Sequence, residues 1–194
     1  MKIIAVDTNK QFRFKPDSAL LLKNRPLFCP DYVKALHAKI ELVVKINRLG
    51  KYIQEKFASS YYDEVGFAID FYDKESLYTL IQEGFPWERA TCFDGSFALS
   101  EFVKISEIRT NAHIGVHVET QNSTPPQLPS QTFAIDPILQ QIPSIVADLS
   151  VCMTLKIGDY IAIELDELKG APFAINSVLR LSLDDREMLS VVVK

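Results

Sequence analysis

Leu36-His37-Ala38-Lys39-Ile40-Glu41-Leu42-Val43-Val44-Lys45-Ile46 alternates in character from residue to residue along its second half, which is the period of a strand with two unlike faces. Ile40, Leu42, Val44 and Ile46 fall on one face, and Lys39, Glu41 and Lys45 share the other. Further along, Asp70 interrupts a second apolar run, Val65-Gly66-Phe67-Ala68-Ile69-Asp70-Phe71, which reads as a buried strand. An acid and a base two positions apart, with another acid near the end of a second strand, form a candidate polar cluster facing a cavity.

Working outward, Lys2-Ile3-Ile4-Ala5-Val6 predicts a first strand, and Pro16 marks an extended turn after Phe12-Arg13-Phe14-Lys15. Helical spacing from Lys51 to about Ser60 puts Tyr52, Ile53 and Phe57 on one side of a short amphipathic helix. Asp73 is placed to cap a helix bearing Leu77, Leu80 and Ile81, ended near Gly84 with Pro86 beyond. In the turn-rich connector that follows, Trp87 reads as core packing, Cys92 as a buried thiol and Asp94-Gly95-Ser96 as a turn. Ala112 to Val118 predicts a strand with His113 and His117 on one face, surface residues rather than a metal pair because no third ligand stands nearby. Thr120 to Ser130 reads as an exposed loop. Asp136 is placed as N-cap and Pro137 as first-turn proline of a helix through Leu149, kinked or restarted at Pro143, and strands follow at Tyr160 to Leu165, Val178 to Leu183 and Met188 to Val193. The fold class is α+β, mainly β, with a few short helices, and residues 1–194 are expected to form one domain.

A chain of 194 residues with 47% hydrophobic and 24% charged residues has the composition of an ordinary globular protein. A net charge of -4, with basic residues scattered among acids, gives a nucleic-acid polyanion nothing to bind. No run is apolar enough for a bilayer span and no secretory leader opens the chain, so a cytoplasmic setting without membrane contact is expected. Cys29, Cys92 and Cys152 lack the close pairing of a disulfide framework or a structural zinc site.

Several segments in one order resemble the fumarylacetoacetate hydrolase family. They are Phe14-Lys15-Pro16-Asp17-Ser18, Leu36 to Ile46, Gly66 to Phe71, Gly84-Phe85-Pro86-Trp87, Cys92-Phe93-Asp94-Gly95-Ser96 and Ile157-Gly158-Asp159-Tyr160-Ile161. The resemblance implies a β-roll of mixed sheets, a homodimer, and a magnesium or manganese ion held by three carboxylates at the roll mouth. It also implies hydrolysis, decarboxylation or isomerisation of small oxo- and diketo-acids, in which a hard cation chelates the substrate and stabilises an enolate.

The residues depart from that pattern at the site. Glu41 and Asp70 match two metal ligands, but Lys39 stands where the third belongs, and the family's active-site lysine is Thr91 here. Lys74-Glu75 replaces an Arg-Asp pair, and only Asp7 to Gln11 fills the place of an N-terminal lid carrying a His-Glu dyad. Glu164-Leu165-Asp166-Glu167-Leu168 replaces a substrate loop and Phe133-Ala134-Ile135 a second substrate segment, while Gln131 keeps its place. An ammonium at Lys39 would repel a cation and instead neutralise Glu41 or Asp70. The reading is a family member with impaired catalysis that serves in binding or regulation, taking a small organic acid through Lys39, Lys15 or Lys74. The alternative is a metal-dependent hydrolase, decarboxylase or isomerase using Glu41 and Asp70.

Overall fold

The structure, a computed structural model, describes residues 1–22, 25–119 and 128–194, with side chains at 128–130 left aside. β1 (Ile3–Val6) turns back through Asp7 to Gln11 into β2 (Phe12–Lys15). The turn is tight because Asp7 Oδ1 accepts from the backbone N–H groups of Asn9 and Gln11 at 2.9 and 2.8 Å. Pro16 and a single 3₁₀ turn lead into β3 (Leu20–Leu22). The quoted stretch forms β4 (Leu36–Lys45), followed by a one-turn helix α1 (Glu55–Ala58) and by β5 (Glu64–Asp73). Then come α2 (Lys74–Glu83), α3 (Glu88–Thr91), β6 (Phe97–Leu99), β7 (Val103–Lys104), β8 (His113–Glu119) and β9 (Leu128–Ala134). The long helix α4 (Asp136–Cys152) precedes β10 (Tyr160–Glu167), β11 (Val178–Leu183) and β12 (Arg186–Val192).

Two sheets result. The larger runs in the order β2-β1-β10-β4-β5-β6-β3, with β7 on β5, and the smaller runs β12-β11-β8-β9. It is a mainly β arrangement of mixed sheets, as the alternation predicts, since β1 pairs parallel with β10 while β4 and β5 pair antiparallel. Ile40, Leu42, Val44 and Ile46 are all fully buried in one core with Ile69, Phe67 and the inner face of α4. The opposite face of the larger sheet carries Ile3, Ala5, Val43, Ala68 and Ala162 in a second, smaller cluster. Its alanines take little room, which lets longer polar side chains from four strands converge above them.

Local chemistry explains most element ends. Asp73 caps α2 through Ser76, whose hydroxyl donates to Oδ2 at 2.6 Å, and Gly84 closes the helix at φ 72. Burial pushes Asp73 upward, but the bonds from Ser76, Lys34 N–H and Ala35 N–H hold it below the usual carboxylate range.

Other expectations are corrected. The helix from Lys51 to Ser60 shrinks to α1, because Gly50 and Tyr52 bond backbone to backbone with Leu155 and Ser150 and the chain bends at Tyr52, whose φ of 53 is not helical. Tyr52 and Phe57 are consequently exposed, and only Ile53 packs inward. α4 runs unbroken through Pro143, and Asp136 is its first residue rather than its cap, its carboxylate accepting from Asn111 N–H at 2.9 Å. The loop reading of Thr120 to Ser130 falls outside the described residues at 120–127, while 128–130 already belong to β9. No helix is long and apolar enough to cross a membrane among the described residues.

Candidate functional site

The polar side chains converge on the alanine face of the larger sheet because strand register aligns them. Lys39 lies opposite Asp70 across β4 and β5, His37 opposite Tyr72, and Glu164 of β10 opposite Glu41. A register shift after Glu164 then brings Glu167 opposite Lys39. The segment from Glu164 to Glu167 is strand rather than loop, and both glutamates reach the site from it. On the other side β10 carries β1, and β1 carries β2, where Arg13 pairs with Ala5 and Lys15 with Ile3.

Lys15 is buried and donates to Asp70 Oδ1, and Arg13 Nη2 donates to Asp70 Oδ2 at 2.7 Å. The same Arg13 nitrogen stands 3.6 Å from Glu41 Oε1. Lys39 turns the other way and donates to Glu164 at 2.6 Å. The expected neutralisation of Glu41 or Asp70 by Lys39 is therefore corrected: Arg13 and Lys15 perform it. Residue type alone hid this, because Arg13 lies in a segment read only for its extended turn, and the partner of a charged side chain depends on which strands β10 brings together.

Electrostatics separate the two carboxylates. Burial pushes Asp70 upward, but Lys15 and Arg13 outweigh it and hold the group below its usual range. Glu41 is fully buried, and burial and then the Asp70 charge push it up to about 8 against the pull of Arg13 and Lys15. Neither Glu41 oxygen has a hydrogen-bond partner, nor does Arg13 Nε. The guanidinium lies closer to Asp70, at 2.7 Å, than to Glu41, at 3.6 Å. Desolvation lowers Arg13 while Asp70 and then Glu41 raise it, and the balance leaves it above the ordinary arginine range, permanently charged.

A carboxylate-held divalent cation needs oxygens not already serving other cations. Asp70 has both oxygens engaged and Glu41 faces a guanidinium. Among the described residues no group of three His, Cys, Asp or Glu side chains is arranged to hold a metal. As arranged, these residues do not fit the magnesium or manganese ion that the resemblance implies.

Beside the cluster lies a pocket of about 420 Å³. Asp7, Gln11, Phe12 and Arg13 line it from the first hairpin, Lys39 and Tyr72 from the central strands, and Leu77, Ile81, Trp87 and Thr91 from the α2–α3 side. Tyr72 is raised by burial and by its bond to Glu167, so its phenol keeps its proton. His37, in ring contact with Tyr72, is lowered by burial and by Lys74, and stays neutral at pH 7.

Thr91 lines the pocket, with its hydroxyl donating to the Trp87 carbonyl at 3.3 Å. Trp87 does not pack in the core: it is 43% exposed at the pocket. Cys92 is half-buried rather than buried. Lys74 bonds Glu167 at 2.6 Å and Glu75 pairs with Lys34 at 3.5 Å, both near the start of α2 and outside the pocket lining. Gln131 stands on β9 in the smaller sheet and does not line the pocket. His113 and His117 are exposed on the outer face of β8.

Known proteins resemble this chain in sequence, and others in fold. The mitochondrial oxaloacetate tautomerase FAHD1 of Rattus norvegicus is 25% identical over 164 residues, covering 84% of this chain and 69% of its own. The oxaloacetate tautomerase YcgM of Escherichia coli K12 is 28% identical over 152 residues, 76% of this chain and 65% of its own length, so this chain spans just under two thirds of it. In fold, the chain superposes on a crystal structure of fumarylpyruvate hydrolase from Pseudomonas aeruginosa in complex with Mn2+ and pyruvate. The TM-score is 0.80 at 19% identity, covering 100% of this chain and 89% of that one. Residues 3–163 match the family described as fumarylacetoacetate (FAA) hydrolase C-terminal, and the chain belongs to the fumarylacetoacetate hydrolase family.

Proposed function

We propose that this protein binds a small organic carboxylate in the pocket beside Arg13 and Lys39, and that it does so without a divalent cation and without metal-dependent turnover. The observation that carries this reading is the Arg13 guanidinium on Asp70 at 2.7 Å and beside Glu41 at 3.6 Å, where the resemblance would put a metal. A planar guanidinium suits a carboxylate because it presents paired N–H donors.

A second reading is a metal-dependent enzyme on small oxo-acids, as the names of the relatives suggest. Glu41 favours it, because two buried carboxylate oxygens without partners are what a displaced cation would leave. Two measurements separate the readings: pyruvate binding in EDTA, and turnover of oxaloacetate with magnesium or manganese. The first reading expects saturable binding in EDTA and no turnover. Robust metal-dependent turnover that disappears in Glu41→Ala would establish the enzyme and overturn the binding reading.

A further inference from the structure

We infer that the pocket selects an amphipathic monocarboxylate, one with an alkyl or aryl body several carbons long, over the short oxo-acids. This rests on the carboxylate-binding reading above and sharpens it. The pocket has a polar inner wall and a largely apolar rim. On its inner wall Tyr72 and Thr91 are each 4% exposed and the side chains of Arg13 and Lys39 19% and 20%, while the polar Asp7 and Gln11 stand at the hairpin edge. At the rim Phe12 is 39% exposed, Trp87 43% and Ile81 52%.

Hydrophobic side chains kept in water beside a sunken cation match a ligand whose charge enters first and whose apolar body stays between them. The five-residue turn from Asp7 to Gln11 leaves Phe12 at this mouth. The volume points the same way: about 420 Å³ is within the range of sites for drug-sized ligands and is far more than a three- or four-carbon acid fills.

Trp87 is the chain's one tryptophan and lines the pocket, so its emission reports occupancy directly. The test titrates the protein in EDTA with octanoate, acetate and octanamide. Each fully buried methylene is worth about fourfold in affinity, so octanoate should bind at least about thirtyfold tighter than acetate even with part of its chain left wet. Octanamide, without the charge, should bind at least about tenfold more weakly than octanoate. Ile81→Asp, an exposed change on α2, should weaken octanoate about tenfold or more and leave acetate within about twofold, with circular dichroism reporting an intact fold.

Octanoate binding no tighter than acetate, while pyruvate still binds, would overturn the selectivity and leave the carboxylate site standing. No binding of pyruvate, acetate or octanoate would overturn both. Insensitivity to octanoate, with Ile81→Asp shifting the mass measured by light scattering, would assign the apolar mouth to a second copy of the chain and overturn the inference.

Discussion

Replacing Arg13 by methionine removes the guanidinium from Asp70 and Glu41 while keeping much of the aliphatic stem. Deleting one partner of a buried ion pair costs about 3–5 kcal/mol. Asp70 retains Lys15, and Arg13 keeps 19% of its side-chain surface exposed, so the lower end, about 3 kcal/mol, applies here. Urea denaturation at pH 7 measures it as a fall in midpoint at unchanged slope.

Manganese then distinguishes a lost contact from a vacated cation position. In Arg13→Met an ion can enter between Glu41 and Asp70. At 1 mM with a dissociation constant of about 10 µM it would restore about 2.7 kcal/mol, nearly the whole loss. The unsubstituted protein should show no shift with the same ion. Adding Lys39→Glu to Arg13→Met supplies a third carboxylate beside the other two and should strengthen the manganese response. Two results refute the reasoning: a parent protein stabilised by manganese as much as the variant, or an Arg13→Met variant as stable as the parent.

Two further perturbations probe the frame that holds the site. Asp159 is pushed up by burial but held below the usual carboxylate range by Lys2 Nζ and by the N–H groups of Lys156 and Lys2. A depressed carboxylate contributes stability above its unfolded value and loses it as pH falls through the folded one. Asp159→Asn should thus be less stable than the parent at pH 7, with the gap closing at up to about 1.4 kcal/mol per pH unit below about pH 4 in pH-dependent urea melts. Asp73→Ala removes the α2 cap together with the acceptor for Lys34 and Ala35 N–H. It should cost about 2 kcal/mol in urea denaturation and weaken octanoate binding, since α2 supplies Leu77 and Ile81 to the pocket.

Strand positions were legible in the sequence because burial on one face imposes a period of two, which fixed β4, β5 and their opposed polar row. The Asp73 cap and the Gly84 stop were legible too, because each is a local backbone requirement. Longer-range pairings were not. The helix expected after Gly50 gave way to backbone bonds with residues a hundred positions away, and Trp87, apolar enough for a core, was left at a pocket mouth because its neighbours on α2 face outward. The partners of the charges were the least legible of all. Lys39, Glu41 and Asp70 could be placed on one face from sequence, but Arg13 could be placed against them only by knowing that β1 and β2 join the sheet through β10.

That last connection has a consequence for how the protein comes into being. In the order β2-β1-β10-β4-β5, the strand bearing Arg13 and Lys15 reaches Asp70 only across β10, which lies near the far end of the chain. During synthesis β4 can pair with β5 as soon as both are made, but the hairpin of β1 and β2 has no sheet to join until β10 has been made. Glu41 and Asp70 meanwhile lack the positive charges of Arg13 and Lys15, which arrive last. A nascent chain halted before Tyr160 would hold the carboxylates without their guanidinium, so the interval before β10 docks is when a soluble cation has its best access to them.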